Sequence, residues 1–173
     1  LLYAKSKTEL SNIIYGGGQE RQKRPGTQNV AGIVGMAVSY EETLDALDEN
    51  NKKLAKLSRK LIDGLSKIPN ARLNGDINQR IYSNINFSFR GVEGESLLIL
   101  LDNKGICVSS GSACTSGSLD PSHVLMAIGL SKDEAVSSLR ITLGDDSTEE
   151  EIDYMIDSIT EVVAYLRKFS TVE

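Results

Sequence analysis

One of the chain's two cysteines, Cys114, stands in the stretch Ser109 to Ser118, SSGSACTSGS, among small polar residues. That composition has too little apolar surface to order itself and predicts a mobile surface loop. A thiol there is either a tolerated surface cysteine or a reactive one that acts as its thiolate. The second cysteine, Cys107 in GICVS, has apolar neighbours and is expected to pack within a short strand. Arg140 lies in SSLRITLG. With Leu139, Ile141 and Leu143 on a core face, strand alternation sends Arg140 and Thr142 to the opposite side. A guanidinium there is either solvated or grips a carboxylate through two parallel hydrogen bonds. Thr27 follows Gly26 where a helical pattern begins. It either caps that helix or offers its hydroxyl, beside free backbone N–H groups, to an anion such as phosphate. Three consecutive glycines, Gly16 to Gly18, permit close approach of the backbone to another group. The two cysteines and the single histidine, His123, do not match a zinc-ligand spacing, so no metal site is expected.

These residues need elements to position them. A chain of 173 residues can build one domain with a real core, or one domain and a piece of another. Its 40% hydrophobic and 25% charged residues are those of a soluble globular protein. A net charge of −5 with both signs interspersed carries no footprint for nucleic acid or an anionic membrane. No membrane span or signal peptide is legible, so the expected location is cytoplasmic.

Residues 1–4, LLYA, read as the end of a strand, followed by a loop. From 28 to 65 the positions Ile33, Ala37, Tyr40, Leu44, Leu47, Leu54, Leu61 and Leu65 recur at helical spacing. This predicts one long helix or two joined by a kink at the polar DENNKK. ARLNG and SNINFSF read as strands, the second with Ile85, Phe87 and Phe89 on one face. GESLLILLDNKG predicts a helix closed by a left-handed Gly105. ICVS reads as a strand, Pro121 opens a helix that carries His123 at the surface, and SSLRITLG is a further strand. Ser147 and Glu150 form a capping-box pattern before a last amphipathic helix. The fold class is therefore α+β: helices packed on a small, largely antiparallel sheet.

In order along the chain, GGGQERQKRPGTQNVAGIVG, SSGSACTSGSLDPSHVLMAIG and LRITLG..STEEEID resemble the C-terminal part of cysteine desulfurases, pyridoxal-phosphate enzymes of the class V aminotransferase family. The resemblance implies the C-terminal small domain of a fold-type I transferase. Residues 1–27 would be a remnant of the large cofactor-binding domain, 28–68 the linking helix and 69–173 the small domain. It implies that Cys114 is the catalytic cysteine, taking sulfur from L-cysteine as a persulfide and leaving L-alanine. Arg140 would bind the substrate carboxylate, and Thr27 the phosphate of pyridoxal 5′-phosphate at a homodimer interface. The long Ser-rich loop is similar to that of desulfurases serving iron–sulfur cluster assembly, which implies a sulfur-acceptor or scaffold protein as partner.

The family's cofactor lysine, its ring-stacking histidine and its ring-pairing aspartate have no counterpart here. The chain is thus expected to be a C-terminal fragment, neither binding the cofactor nor turning over alone. Asp145 departs from the family pattern, which often has an arginine there. Two alternatives use the same residues: a selenocysteine lyase-like enzyme, or a non-enzymatic persulfide carrier or docking domain.

Overall fold

The computed structural model describes residues 1–110 and 121–170. The expectations for the Cys114 loop fall outside them. The chain divides into two units, Leu1–Leu47 and Asp48–Glu173.

In the first unit, residues 1–18 contain neither helix nor strand. The strand expected at LLYA is absent, because an extended segment becomes a strand only by pairing and this unit supplies no partner among its described residues. A single turn, α1 (Gln19–Gln22), has positive φ at Glu20, Arg21 and Gln22. Non-glycine residues avoid that region. Bonds from the Asn12 amide to the Gln22 carbonyl (2.6 Å) and from Lys23 Nζ to the Leu10 carbonyl (2.9 Å) hold the turn in place.

Helix α2 (Val30–Leu65) starts in this unit and is one 36-residue element that includes DENNKK. Its cap is Asn29, whose Oδ1 accepts from the Gly32 N–H at 3.1 Å. The early apolar positions Ile33, Tyr40, Leu44 and Leu47 are exposed.

The second unit owes its shape to the alternation in NINFSF. Strand β2 (Asn84–Phe89) lies between β1 (Ala71–Leu73) and β3 (Ser138–Thr142), and both pairings are antiparallel. Ile85, Phe87 and Phe89 are fully buried on one face with Leu139 and Ile141. Burying such side chains stabilises by about 1.5–3 kcal/mol each. Over them pack the second half of α2 (Leu54, Leu57, Leu61, Ile62, Leu65), helix α3 (Gly94–Asp102) and helix α6 (Glu149–Arg167). The expected α+β architecture, helices on a small antiparallel sheet, is what forms.

Helix α3 ends as its sequence predicts: Gly105 has φ +75°, and the Ile106 N–H returns to the Leu101 carbonyl at 3.0 Å. Its start is tight. A Cβ on Gly94 would stand 2.6 Å from the Val136 carbonyl oxygen, a backbone atom that cannot rotate away. Gly94→Val is therefore expected to lower stability by about 1–3 kcal/mol. Urea unfolding checks it, and an unchanged midpoint would contradict the packing.

Two expectations are corrected around Cys107. ICVS forms no strand; only Ser109 pairs, as an isolated bridge to Arg140. Cys107 is exposed, not packed, because in this extended segment Ile106 turns inward and the next residue outward.

Helix α4 (His123–Ala127) follows Pro121, with His123 exposed. Helix α5 (Lys132–Val136) was not expected, although Ser131 and Glu134 spell its capping box. The box of α6 lies one residue later than predicted, at Thr148 and Glu151. The Ser147 hydroxyl instead accepts from the Gly144 N–H at 3.1 Å and closes the preceding turn. Asp145 accepts from Lys53 Nζ through its backbone carbonyl.

Candidate functional site

The sheet face opposite the core carries the polar residues of all three strands. Arg140 is exposed there between buried Leu139 and Ile141, as alternation requires. Its backbone N–H donates to the Ser109 carbonyl (2.6 Å) and its carbonyl accepts from the Ser109 N–H (3.0 Å). This two-bond bridge holds the segment that enters SSGSACTSGS against β3 at Arg140 itself. Among the described residues no hydrogen bond or ion pair engages the Arg140 guanidinium. Cys114 lies outside the described residues.

On the other side of Arg140, Asn86 of β2 stands directly opposite in the register. Asn74, just beyond β1, donates its N–H to the Asn86 carbonyl at 2.8 Å and continues the row. Four residues thus lie in line across the sheet: Asn74, Asn86, Arg140 and Ser109. The Asn74 side chain, only 5% exposed, donates through Nδ2 to Asn86 Oδ1 (2.6 Å) and to Ser88 Oγ (2.9 Å). Ser88 Oγ in turn donates to the Glu134 carbonyl of α5 at 2.6 Å.

Both ends of this set are anchored. Arg80 donates to the Asn74 carbonyl through Nη2 (2.7 Å) and to the Asp76 carbonyl through Nε (2.8 Å). The Asp76 carboxylate accepts from the backbone of Asn78 and Gln79, which holds it below the usual carboxylate range. At the other end the Glu134 carboxyl is lowered, first by the Ser131 backbone N–H and then by the Arg72 guanidinium. Helix α5 covers the Ser88 and Ser138 end of the face, both buried, and leaves the Arg140 end open.

Asn74 and Asn86 were not singled out in the sequence. Half of the signal was there: the alternation that buries Ile85, Phe87 and Phe89 puts Asn86 and Ser88 on the Arg140 side. The pairing of Asn74 with Asn86 needs the register, which the sequence does not print.

Thr27 belongs to the first unit. It is exposed, and with Asn29 serving as the cap its hydroxyl is not used to start α2. No hydrogen bond engages that hydroxyl among the described residues. Gly26 precedes it with φ +94°, a conformation that suits glycine. An exposed hydroxyl beside a glycine at a helix start fits a phosphate oxygen.

The arrangement matches known proteins along nearly its whole length. The chain is 48% identical over 172 residues to "Cysteine desulfurase IscS" of Clostridium botulinum, covering 98% of this chain and 43% of that protein. It is 45% identical over 169 residues to the protein of the same name from Methanosarcina thermophila, covering 98% and 42%. The chain therefore spans less than half the length of these curated relatives. Among solved structures, a NifS-like protein superposes with a TM-score of 0.83 at 35% identity, covering 94% of this chain and 41% of that one. A NifS-like protein from Rickettsia africae superposes with a TM-score of 0.81 at 32% identity, covering 91% and 41%. The sequence profile described as Aminotransferase class-V matches residues 5–155. With the profile matched over most of its length, the chain belongs to the class-V aminotransferase family.

Proposed function

We propose that this chain is the C-terminal part of a cysteine desulfurase, which converts L-cysteine to L-alanine and carries the sulfur as a persulfide. The observation that carries the reading is the bridge between Arg140 and Ser109. It ties an open guanidinium to the start of the segment bearing Cys114, so one strand edge serves both substrate binding and sulfur transfer.

Each residue then has a task. Arg140 holds the carboxylate of L-cysteine by a two-pronged contact and fixes the orientation of the amino acid. Thr27 contributes its hydroxyl to the phosphate of pyridoxal 5′-phosphate at a homodimer interface. That cofactor, when bound, supplies the electron sink that weakens the substrate's carbon–sulfur bond. The Cys114 thiolate attacks the substrate sulfur and forms the new sulfur–sulfur bond while the carbon–sulfur bond breaks. The bonding pair stays with carbon, and a proton replaces sulfur there to give alanine. The sulfur leaves on Cys114 for an acceptor or scaffold protein of iron–sulfur cluster assembly.

The lysine that holds the cofactor is assigned to the part of the relatives that this chain does not span. Residues 1–27 are read as part of the large domain, 28–68 as the linking helix and 69–173 as the small domain. No described helix is long and apolar enough to cross a membrane, and the location proposed is the cytoplasm.

The test is product analysis. Full-length protein with pyridoxal 5′-phosphate and L-cysteine is expected to release one alanine per sulfur removed. No alanine from a cofactor-loaded sample would overturn the reading.

A further inference from the structure

The availability of the Arg140 guanidinium depends on the residue facing it. Both backbone groups of Arg140 are committed to Ser109 on one side, so its pairing with Asn86 on the other is the non-hydrogen-bonded kind. Such pairs bring their Cα atoms within about 4.5 Å and their side chains close together. An asparagine presents either an acceptor oxygen or a donor NH2 to its neighbour. The oxygen would accept from the guanidinium and compete with an incoming carboxylate. The NH2 cannot.

The orientation follows from the far end of the polar row. The Glu134 carbonyl only accepts, and Ser88 Oγ gives it its single proton at 2.6 Å. Towards Asn74, 2.9 Å away, Ser88 Oγ is therefore an acceptor, so the Asn74 atom that meets it is the amide nitrogen. That nitrogen also lies 2.6 Å from the Asn86 side chain, where its partner must be an oxygen. Asn86 Oδ1 is thus committed to Asn74, and the end of the planar amide left for other neighbours is its nitrogen. No hydrogen bond engages that nitrogen among the described residues. With Asn74 buried, water does not compete to reorient the set.

We infer that Asn86 is a positioning residue for Arg140: the relay from Glu134 through Ser88 and Asn74 makes it present N–H groups, not an acceptor, and so keeps the guanidinium free for a carboxylate ligand. This rests on the reading of Arg140 as the carboxylate-binding group.

Asn86→Asp in the full-length, cofactor-loaded enzyme tests it. Aspartate still accepts from Asn74, so the relay and the fold keep their bond, but it sets a carboxylate beside the guanidinium. The KM for L-cysteine is expected to rise roughly tenfold or more, with kcat and the cofactor absorbance little changed. A residue that only supports the sheet would not separate KM from kcat. Arg140→Lys is measured alongside. If it raises KM while Asn86→Asp does not, the inference about Asn86 falls and the carboxylate role stands. If Arg140→Lys itself leaves KM unchanged, the carboxylate role falls. Should Asn86→Asp not fold, Asn74→Ala cuts the relay and frees the Asn86 amide to turn its oxygen to Arg140. KM is then expected to rise about threefold, and an unchanged KM overturns the inference.

Discussion

Full-length enzyme carrying Cys114→Ser is expected to lose cysteine turnover by a factor of ~10³ or more while keeping its cofactor and its fold. A thiol near its ordinary pKa of ~8.5 supplies a few per cent thiolate at neutral pH, whereas a serine hydroxyl supplies essentially no anion. The hydroxyl is also a poor nucleophile toward sulfur, so the sulfur–sulfur bond does not form. Substrate binding is expected to be untouched, because the carboxylate contact is proposed for Arg140. Cys107 provides the control. It is exposed. Cys107→Ser is expected to keep turnover within about twofold, since surface substitutions away from a site are nearly neutral. Alanine release by both variants checks the assignment, and equal losses would contradict it.

Arg140→Lys is expected to raise the KM for L-cysteine roughly 30-fold, with cofactor occupancy intact. Lysine keeps the charge but loses the planar fork that meets both carboxylate oxygens. Losing one charged hydrogen bond of about 2 kcal/mol corresponds to that factor. The side chain is exposed and both backbone groups bond Ser109 whatever the side chain, so the fold is expected to tolerate the change. Steady-state kinetics and thermal unfolding together separate a binding defect from a folding one. An unchanged KM would remove Arg140 from the site.

What the sequence revealed is instructive in its particulars. Alternation in NINFSF and SSLRITLG identified the core residues and the open face of Arg140, because a strand buried on one side leaves no other choice of facing. Gly105 announced its own left-handed φ. In several of the misses the residues offered two chemically equivalent solutions, and composition alone did not choose between them. Ser147 with Glu150 and Thr148 with Glu151 are both capping-box pairs, and the turn at Gly144 took the Ser147 hydroxyl. Thr27 and Asn29 are both able to cap α2, and Asn29 does. Cys107 has apolar neighbours in sequence, yet the extended chain buries Ile106 and turns the cysteine outward. Asn74 and Asn86 are twelve positions apart and meet only through the strand register.

The central claim is that sulfur leaves cysteine on Cys114, and the direct measurement is the site of the persulfide. Reduced full-length enzyme with its cofactor is given one equivalent of L-cysteine, quenched by alkylation, digested and weighed by mass spectrometry. Cys107 and Cys114 fall on one peptide, 105–132 after cleavage at lysine, so the sulfur is placed by fragmenting that peptide; one additional sulfur is expected on Cys114, in proportion to the alanine released, and none on Cys107. Sulfur on Cys107, or alanine released with no sulfur on either cysteine, would contradict it.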